Sequence, residues 1–122
     1  MPLLLVMLGG ALGAGARYMA GRAMPLPASG FPVATLSINI VGGFLMGLLA
    51  GSLARLNAGE GWRLFIGVGV LGGFTTFSAF SLDAVTLAER GQLLLAAGYV
   101  AVSVAGAIGA LIAGLALVRA GA

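Results

Sequence analysis

The sequence of 122 residues contains no cysteine and no histidine, and only three of its residues are Asp or Glu. Without cysteine there are no disulfides and no thiolate metal sites, and without histidine the commonest general base and metal ligand is missing. Because the carboxylates are so few, we expect that the protein is not an enzyme. The six basic residues are all arginine and lie scattered along the chain, which predicts no nucleic-acid surface.

Charged residues make up only 7% of the chain, whereas 61% of the residues are hydrophobic and the mean hydropathy is +1.16. These values lie far outside the range of soluble domains and indicate an integral membrane protein. The N-terminal segment lacks a basic region and stays apolar beyond signal-peptide length, which predicts a first span that is retained. Neither a cysteine nor a glycine at position two is present to carry a lipid.

Four segments are long and apolar enough to cross a bilayer, since a span needs roughly 20 apolar residues. The predicted spans are about residues 3–22, 32–54, 63–89 and 91–118. Pro25 and Pro27 fit the first loop, and residues 55–63 form a second loop in which Trp62 suits the membrane interface. The sequence therefore predicts an all-α membrane protein with one four-helix domain over residues 1–122.

The arginines are balanced across the predicted membrane, with three on each side. Because Lys and Arg bias sets orientation, this balance leaves two interpretations open. The chain either inserts in one orientation that charge counting does not resolve, or inserts both ways round and forms antiparallel dimers. Four helices leave no room for both a lined pore and a lipid-facing shell, so transport would need an oligomer.

Small and polar residues recur at spacing four in several spans, which predicts faces that pack closely against other helices. These residues are Thr35, Asn39, Gly43, Gly47 and Gly51 on the second span and the pairs Gly9/Gly13, Gly69/Gly73 and Ala105/Gly109 elsewhere. The amide of Asn39 lies near mid-bilayer and needs hydrogen-bond partners. It either joins two helices or faces a solute, and the sequence favours neither.

The third span carries the sequence Gly-Gly-Phe-Thr-Thr-Phe-Ser-Ala-Phe-Ser at residues 72–81. The glycine pair weakens a helix at Gly72 and Gly73 and predicts a break there, which is either a simple kink or a cation site of backbone carbonyls. Hydroxyl groups are costly to bury in hydrocarbon without partners. Since aromatic ring edges are positive, Phe77 and Phe80 beside these hydroxyls could accept an anion without binding it too tightly to leave.

Three segments together resemble the small fluoride channels of the Fluc family, also called CrcB. They are the glycine-rich residues 9–18, the polar stripe within residues 34–47, and the highly specific residues 72–81. The resemblance covers essentially the whole chain. It implies an antiparallel, dual-topology homodimer with two pores, each lined by both subunits, and a central sodium ion at the dimer interface. The implied function is a passive, fluoride-selective channel that exports cytoplasmic fluoride across the inner membrane of a prokaryote.

The resemblance also implies roles for individual residues. Phe77 and Phe80 match the pore phenylalanines whose ring edges contact fluoride, and Asn39 matches the pore amide donor. The backbone carbonyls of Gly72 and Thr75 match the sodium ligands, two from each subunit.

Further positions along the path follow from the same resemblance. Thr35, Tyr99 and Ser103 fall where the family lines its pores with hydroxyls, and Arg17 matches an arginine near the aqueous vestibule. Ser78 and Ser81 are further pore candidates on the third span. One departure is Ala107, which stands where some relatives have another serine.

Two other classes of protein compete with this interpretation. A proton-coupled exporter of the small multidrug-resistance type also has four spans, but it needs a carboxylate near mid-membrane. Only Asp83 comes close, and it lies late in the third span. A structural or assembly protein would explain the glycine stripes but not the alternation of hydroxyls and phenylalanines.

Overall fold

The computed structural model describes residues 2–57 and 59–121, and its long elements are helical. Four helical stretches are long and apolar enough to cross a membrane, which confirms the predicted four-span, all-α architecture. Helix α1 is Pro2–Ala23, α2 is Val33–Leu56 and α5 is Leu93–Ala120. The third span, Glu60–Glu89, is divided into α3 over residues 60–74 and α4 over Phe77–Glu89.

The helices begin and end within about one turn of the predicted spans. The largest difference is at the second loop, which we predicted over residues 55–63. Helix α2 continues to Leu56, Asn57 ends it in a left-handed conformation with φ 52°, and α3 already begins at Glu60. Ala58 lies outside the described residues. Within α3, the segment Arg63–Leu71 is a π-helix between short α-helical ends.

The third span is interrupted two residues beyond the predicted glycine pair. Gly72 and Gly73 stay helical within Gly72–Phe74, whereas Thr75 (φ −85°, ψ 157°) and Thr76 (φ −152°, ψ 119°) are extended. The prediction of a break at Gly72 and Gly73 is therefore wrong in its position. A glycine only lowers helix stability by about 1 kcal/mol, whereas a break needs other partners for the backbone groups that the helix gives up.

The packing of the helices follows the small residues, as predicted for most of them. Helix α1 packs on α3, where a Cβ on Gly73 would lie 2.6 Å from the carbonyl oxygen of Gly10. Helix α2 packs on α5, where a Cβ on Gly43 would lie 2.6 Å from the carbonyl oxygen of Ala107. A side chain at either glycine would hold the helices apart, so both faces require small residues.

The pair Ala105/Gly109 on α5 is an exception. A Cβ on Gly109 would meet nothing within 4 Å among the atoms that the structure describes. The prediction that this pair lies at a helix contact is therefore wrong for the single subunit. The α2 contact is instead made by the face of α5 that carries Ala107, Leu111 and Gly114.

Candidate functional site

At the break in the third span, a side chain from α2 forms hydrogen bonds to the extended backbone. The amide nitrogen of Asn39 donates to the carbonyl oxygen of Thr76 at 3.1 Å, and the Thr76 backbone N–H donates to Asn39 Oδ1 at 2.9 Å. The Asn39 carboxamide thus replaces both helical partners of one extended residue. A buried backbone group without a partner costs about 1–3 kcal/mol. Asn39 removes this cost for both backbone groups of Thr76 and so allows the helix to break inside a membrane. The helix-joining role, one of the two we considered, is present.

Two threonine hydroxyls complete the local structure of the break. Thr75 Oγ1 donates to the carbonyl oxygen of Leu71 at 3.0 Å, which ends α3. Thr76 Oγ1 accepts from the Ala79 backbone N–H at 3.1 Å, which caps the first turn of α4. Threonine is a preferred residue at such a cap because its short hydroxyl reaches a free N–H of the first turn.

These substitutions of hydrogen-bond partners release two backbone carbonyls. In an unbroken helix the Thr76 N–H would donate to the Gly72 carbonyl, and the Ala79 N–H would donate to the Thr75 carbonyl. Here the first N–H donates to Asn39 and the second to Thr76 Oγ1. The carbonyls of Gly72 and Thr75 have therefore lost the donors that a helix would supply. They are the same two carbonyls that the family resemblance assigns to sodium.

Two carbonyls lie between them, those of Gly73 and Phe74, and an arginine of α1 binds the first. Arg17 Nε donates to the carbonyl oxygen of Gly73 at 3.2 Å. Arg17 also lines an open cavity of about 290 Å³ between α1, α2 and α4, which we call the arginine cavity. Its lining residues are Arg17, Tyr18, Gly21, Arg22, Ala34, Thr35, Ile38, Thr76 and Ala79. The predicted vestibule residue thus lies in an open cavity next to the break.

A second cavity, of about 310 Å³, lies between α2, α4 and α5, and we call it the phenylalanine cavity. It is lined by Asn39, Phe77, Phe80, Ser103, Val104, Ala107 and Ile108. Four of the predicted pore residues therefore meet in one place. The Ser103 hydroxyl is buried and has no hydrogen-bond partner among the described residues. Beyond Ser103 the wall is apolar, as expected from alanine rather than serine at position 107.

The two phenylalanines of this cavity differ in burial. Phe80 is 8% exposed and packs against Tyr99 with ring centroids 5.3 Å apart, whereas Phe77 is 77% exposed. Their rings lie 5.5 Å apart at 48°. Phe80 is thus fixed by the subunit's own core, while Phe77 projects from the surface of the subunit.

Tyr99 contacts a carboxylate, that of Asp83, which is not among the predicted pore residues. Its side chain is 0% exposed, and its hydroxyl donates to Asp83 Oδ2 at 3.2 Å. Asp83 also lines a third cavity of about 210 Å³, together with Thr35. The available signal was that Asp83 follows Phe80 by three residues and so lies on the same face of α4. From the sequence alone, Asp83 stands out only as the carboxylate of a competing exporter.

Three predicted pore hydroxyls do not line any of these three cavities: the buried Tyr99, Ser81 and Ser78. Ser81 Oγ donates to the carbonyl oxygen of Phe77, one turn earlier on its own helix, at 2.9 Å. Ser78 is exposed, and its hydroxyl lies 3.3 Å from Thr76 Oγ1. Within one subunit, the hydroxyl-bearing residues that line these cavities are Tyr18, Thr35, Thr76 and Ser103.

The fold and the site together define a class of protein. A four-span membrane protein with an interrupted helix, released carbonyls and a mainly apolar cavity that holds an amide and a serine hydroxyl has the features of ion channels and ion-coupled transporters. Comparison with known families then gives a match over residues 4–115 to the family described as CrcB-like protein, Camphor Resistance (CrcB). The chain belongs to this family, which confirms the resemblance found in its sequence.

Individual relatives agree with this assignment. The chain is 57% identical over 116 residues to a protein of Sphingopyxis alaskensis, covering 93% of this chain and 92% of the relative. It is 56% identical over 118 residues to a protein of Cereibacter sphaeroides, covering 96% and 94% of the two chains. Both relatives are named fluoride-specific ion channel FluC. Four spans and bacterial relatives make this chain a multi-pass bacterial membrane protein.

Proposed function

We propose that this protein is a passive, fluoride-selective ion channel of the bacterial inner membrane. The observation that carries the proposal is the phenylalanine cavity, where the unpartnered hydroxyl of Ser103 lies with Asn39 and two phenylalanine rings. This cavity offers hydrogen-bond donors and positive ring edges but no formal charge. Such weak sites can replace the water of a small anion and still release it. The names of the relatives, which are those of ion channels and not of enzymes, support the same function.

The donors of the cavity account for selectivity. An Asn amide has two N–H groups, and the structure shows one of them donating to Thr76, which leaves the other for an anion. Ser103 adds a hydroxyl, and the apolar wall of Val104, Ala107 and Ile108 adds no further donor. A few donors at short range can replace the water around a small anion, whereas a larger anion needs more room and more donors. The cavity should therefore select the small anion.

Passive export needs no energy source beyond the membrane potential. Hydrogen fluoride is a weak acid that crosses lipid in its neutral form and dissociates in the cytoplasm. An inside-negative potential then drives the anion out through any selective path, since moving one charge across 100 mV is worth about 2.3 kcal/mol.

We propose further that two copies of the chain form an antiparallel homodimer with two pores. Gly72 is exposed on the subunit, although its carbonyl has lost its helical donor. An unsatisfied carbonyl at mid-membrane cannot face lipid. An open groove of about 610 Å³, lined by Arg63 and by apolar residues of α2 and α3, leads to Gly72, and a second copy of the chain would cover both. The equal division of arginines permits the two opposite orientations.

The released carbonyls fit a sodium site at this interface. Sodium is bound in broken-helix transporters by unwound backbone carbonyls, and Gly72 and Thr75 supply two such oxygens per subunit. A two-fold dimer would bring two further oxygens from the second copy. The ion would supply positive charge that joins the two breaks, and the role of this chain is to hold the two carbonyls free of helical hydrogen bonds.

Fluoride transport can be measured directly. In liposomes loaded with potassium fluoride, the purified protein should release fluoride when valinomycin carries the counter-ion, because the path is passive. Liposomes loaded with potassium chloride provide the control, and their chloride release should not exceed that of chloride-loaded liposomes without the protein. Equal release of both anions would contradict the proposed selectivity, and no release of either from a folded dimer would favour the structural-protein class.

Sodium binding predicts a cation-dependent stability. The melting temperature of the detergent-solubilised dimer should be about 5 °C or more higher in sodium chloride than in N-methyl-D-glucamine chloride of equal ionic strength, since a ligand that binds only the folded state stabilises it. The bulky organic cation cannot enter a site of four carbonyls. Identical melting temperatures in the two salts would leave the break as a kink without a cation.

A further inference from the structure

The position of Arg17 suggests a role that its place in a vestibule does not require. Its Nε–H donates to the carbonyl of Gly73, which lies between the two released carbonyls at Gly72 and Thr75. Arg17 is also six residues from the end of α1, so it lies inside the span rather than at its edge. Among residues 2–57 and 59–121, the ion pair that the structure shows is Arg63 with Glu60, not one with Arg17.

The Gly73 carbonyl needs this partner because of the break. In an unbroken helix it would accept from the N–H of Phe77, but the extended backbone of Thr75 and Thr76 separates α3 from α4. Without Arg17 the carbonyl would be left unsatisfied at membrane depth, at a cost of about 1–3 kcal/mol. The chain could avoid this cost only by turning the Gly73 peptide, either toward Phe77 or toward a cation. Both movements change the set of carbonyls that the break leaves free.

We propose that Arg17 is a positioning residue for the cation site: by binding the Gly73 carbonyl, it keeps that oxygen from the cation and fixes the backbone between Gly72 and Thr75. This inference rests on the proposed sodium site, which it deepens. Arginine suits the role because its planar guanidinium directs Nε–H in a fixed direction, and four further N–H groups remain for the arginine cavity. A lysine has the same charge but a mobile ammonium with no such fixed donor.

The test makes the same substitution, arginine to lysine, at two positions and compares the two variants. Arg22 lies on the same helix and lines the same cavity, but the hydrogen bond to Gly73 belongs to Arg17. Arg17→Lys and Arg22→Lys both keep the positive charge, so a difference between them reports the hydrogen bond and not the charge. The readout is the sodium concentration that gives half of the rise in melting temperature, titrated against N-methyl-D-glucamine at constant ionic strength.

We expect R17K to raise this half-maximal sodium concentration by about tenfold, the effect of losing one charge-assisted hydrogen bond. R22K should leave it within about twofold of the unmodified protein. A purely structural role of Arg17 would lower the melting temperature equally at every sodium concentration and would not move the midpoint. An unshifted midpoint in R17K, or an equal shift in R22K, overturns the proposal.

The remaining outcomes are also decisive. If the unmodified protein shows no sodium response, the sodium site itself is absent, which is a different failure from an unshifted midpoint in R17K. If R17K folds only at high sodium, this is the extreme of the expected shift. If neither R17K nor Arg17→Gln folds at any sodium concentration, Arg17 serves the fold as a whole and the proposal is wrong.

Discussion

Asn39→Asp should lower fluoride flux by about 100-fold. The carboxylate can still accept from the Thr76 N–H, but it cannot donate to the Thr76 carbonyl, so two oxygens would face each other across the present 3.1 Å contact. The substitution also removes the second N–H from the phenylalanine cavity and places a negative charge beside the anion path. A like charge a few ångströms away in a low-dielectric site costs several kcal/mol, which exceeds the 2.7 kcal/mol that 100-fold requires.

The same substitution elsewhere provides the control for this experiment. Asn57→Asp makes the same change of amide to carboxylate at the end of α2, outside the cavities described above, and its flux should stay within about twofold of the unmodified protein. Flux is measured in liposomes, and size-exclusion chromatography checks that each variant is a dimer. Normal flux through folded N39D would show that Asn39 neither donates to fluoride nor holds the break in a form that conduction needs.

Phe77→Ile should lower fluoride flux by at least about tenfold while it leaves the subunit's own core intact. The ring is 77% exposed, so its loss opens no cavity within the subunit. Isoleucine keeps the apolar character but lacks the positive ring edge that an anion can approach. The expected loss is therefore one of conduction rather than of folding.

Phe80→Ile makes the complementary test. We expect the same loss of flux, but also a lower melting temperature, because Phe80 is 8% exposed and packs against Tyr99 in the core between α4 and α5. A lost aromatic contact and an incompletely filled site together cost about 1–3 kcal/mol. The dimer should persist in both variants.

Phe65→Ile serves as the matched control, since Phe65 lies on α3 and lines a different groove. Its flux should equal that of the unmodified protein. If Phe77→Ile and Phe80→Ile both conduct normally, the ring edges have no part in permeation. If Phe65→Ile loses as much flux as they do, the loss reflects damage to the helix bundle and not to the cavity.

The sequence predicted the character of the candidate site better than its details. The polar face of α2 was identified from its spacing, and Phe77 and Phe80 from their place beside hydroxyls and from the family resemblance. The structure brings Asn39, Phe77, Phe80 and Ser103 to one cavity. Ser81 was expected there too, but its hydroxyl donates to the Phe77 carbonyl instead. A hydroxyl on a helix can bond to its own backbone one turn back or to a neighbour, and the residue type is the same in both cases.

The position of the break shows the same limit. The glycine pair at 72 and 73 is the most visible local weakness, yet the chain leaves the helix at Thr75 and Thr76. The deciding partner is Asn39, which is 37 residues away in sequence from Thr76 and on another helix. No local propensity contains that contact, and so the sequence pointed to the right segment but to the wrong residues.

The sequence by itself determined that the chain is a four-span, all-helical membrane protein of the CrcB family with a polar face on α2 and an unusual third span. Those properties follow from hydropathy, spacing and motif, which are sums over neighbouring residues. The tertiary structure alone decided that Asn39 satisfies the break, that Arg17 takes the carbonyl of Gly73, and that Phe80 is enclosed while Phe77 is not. The physical reason is that backbone groups released inside a membrane must find partners, and these partners come from helices distant in sequence.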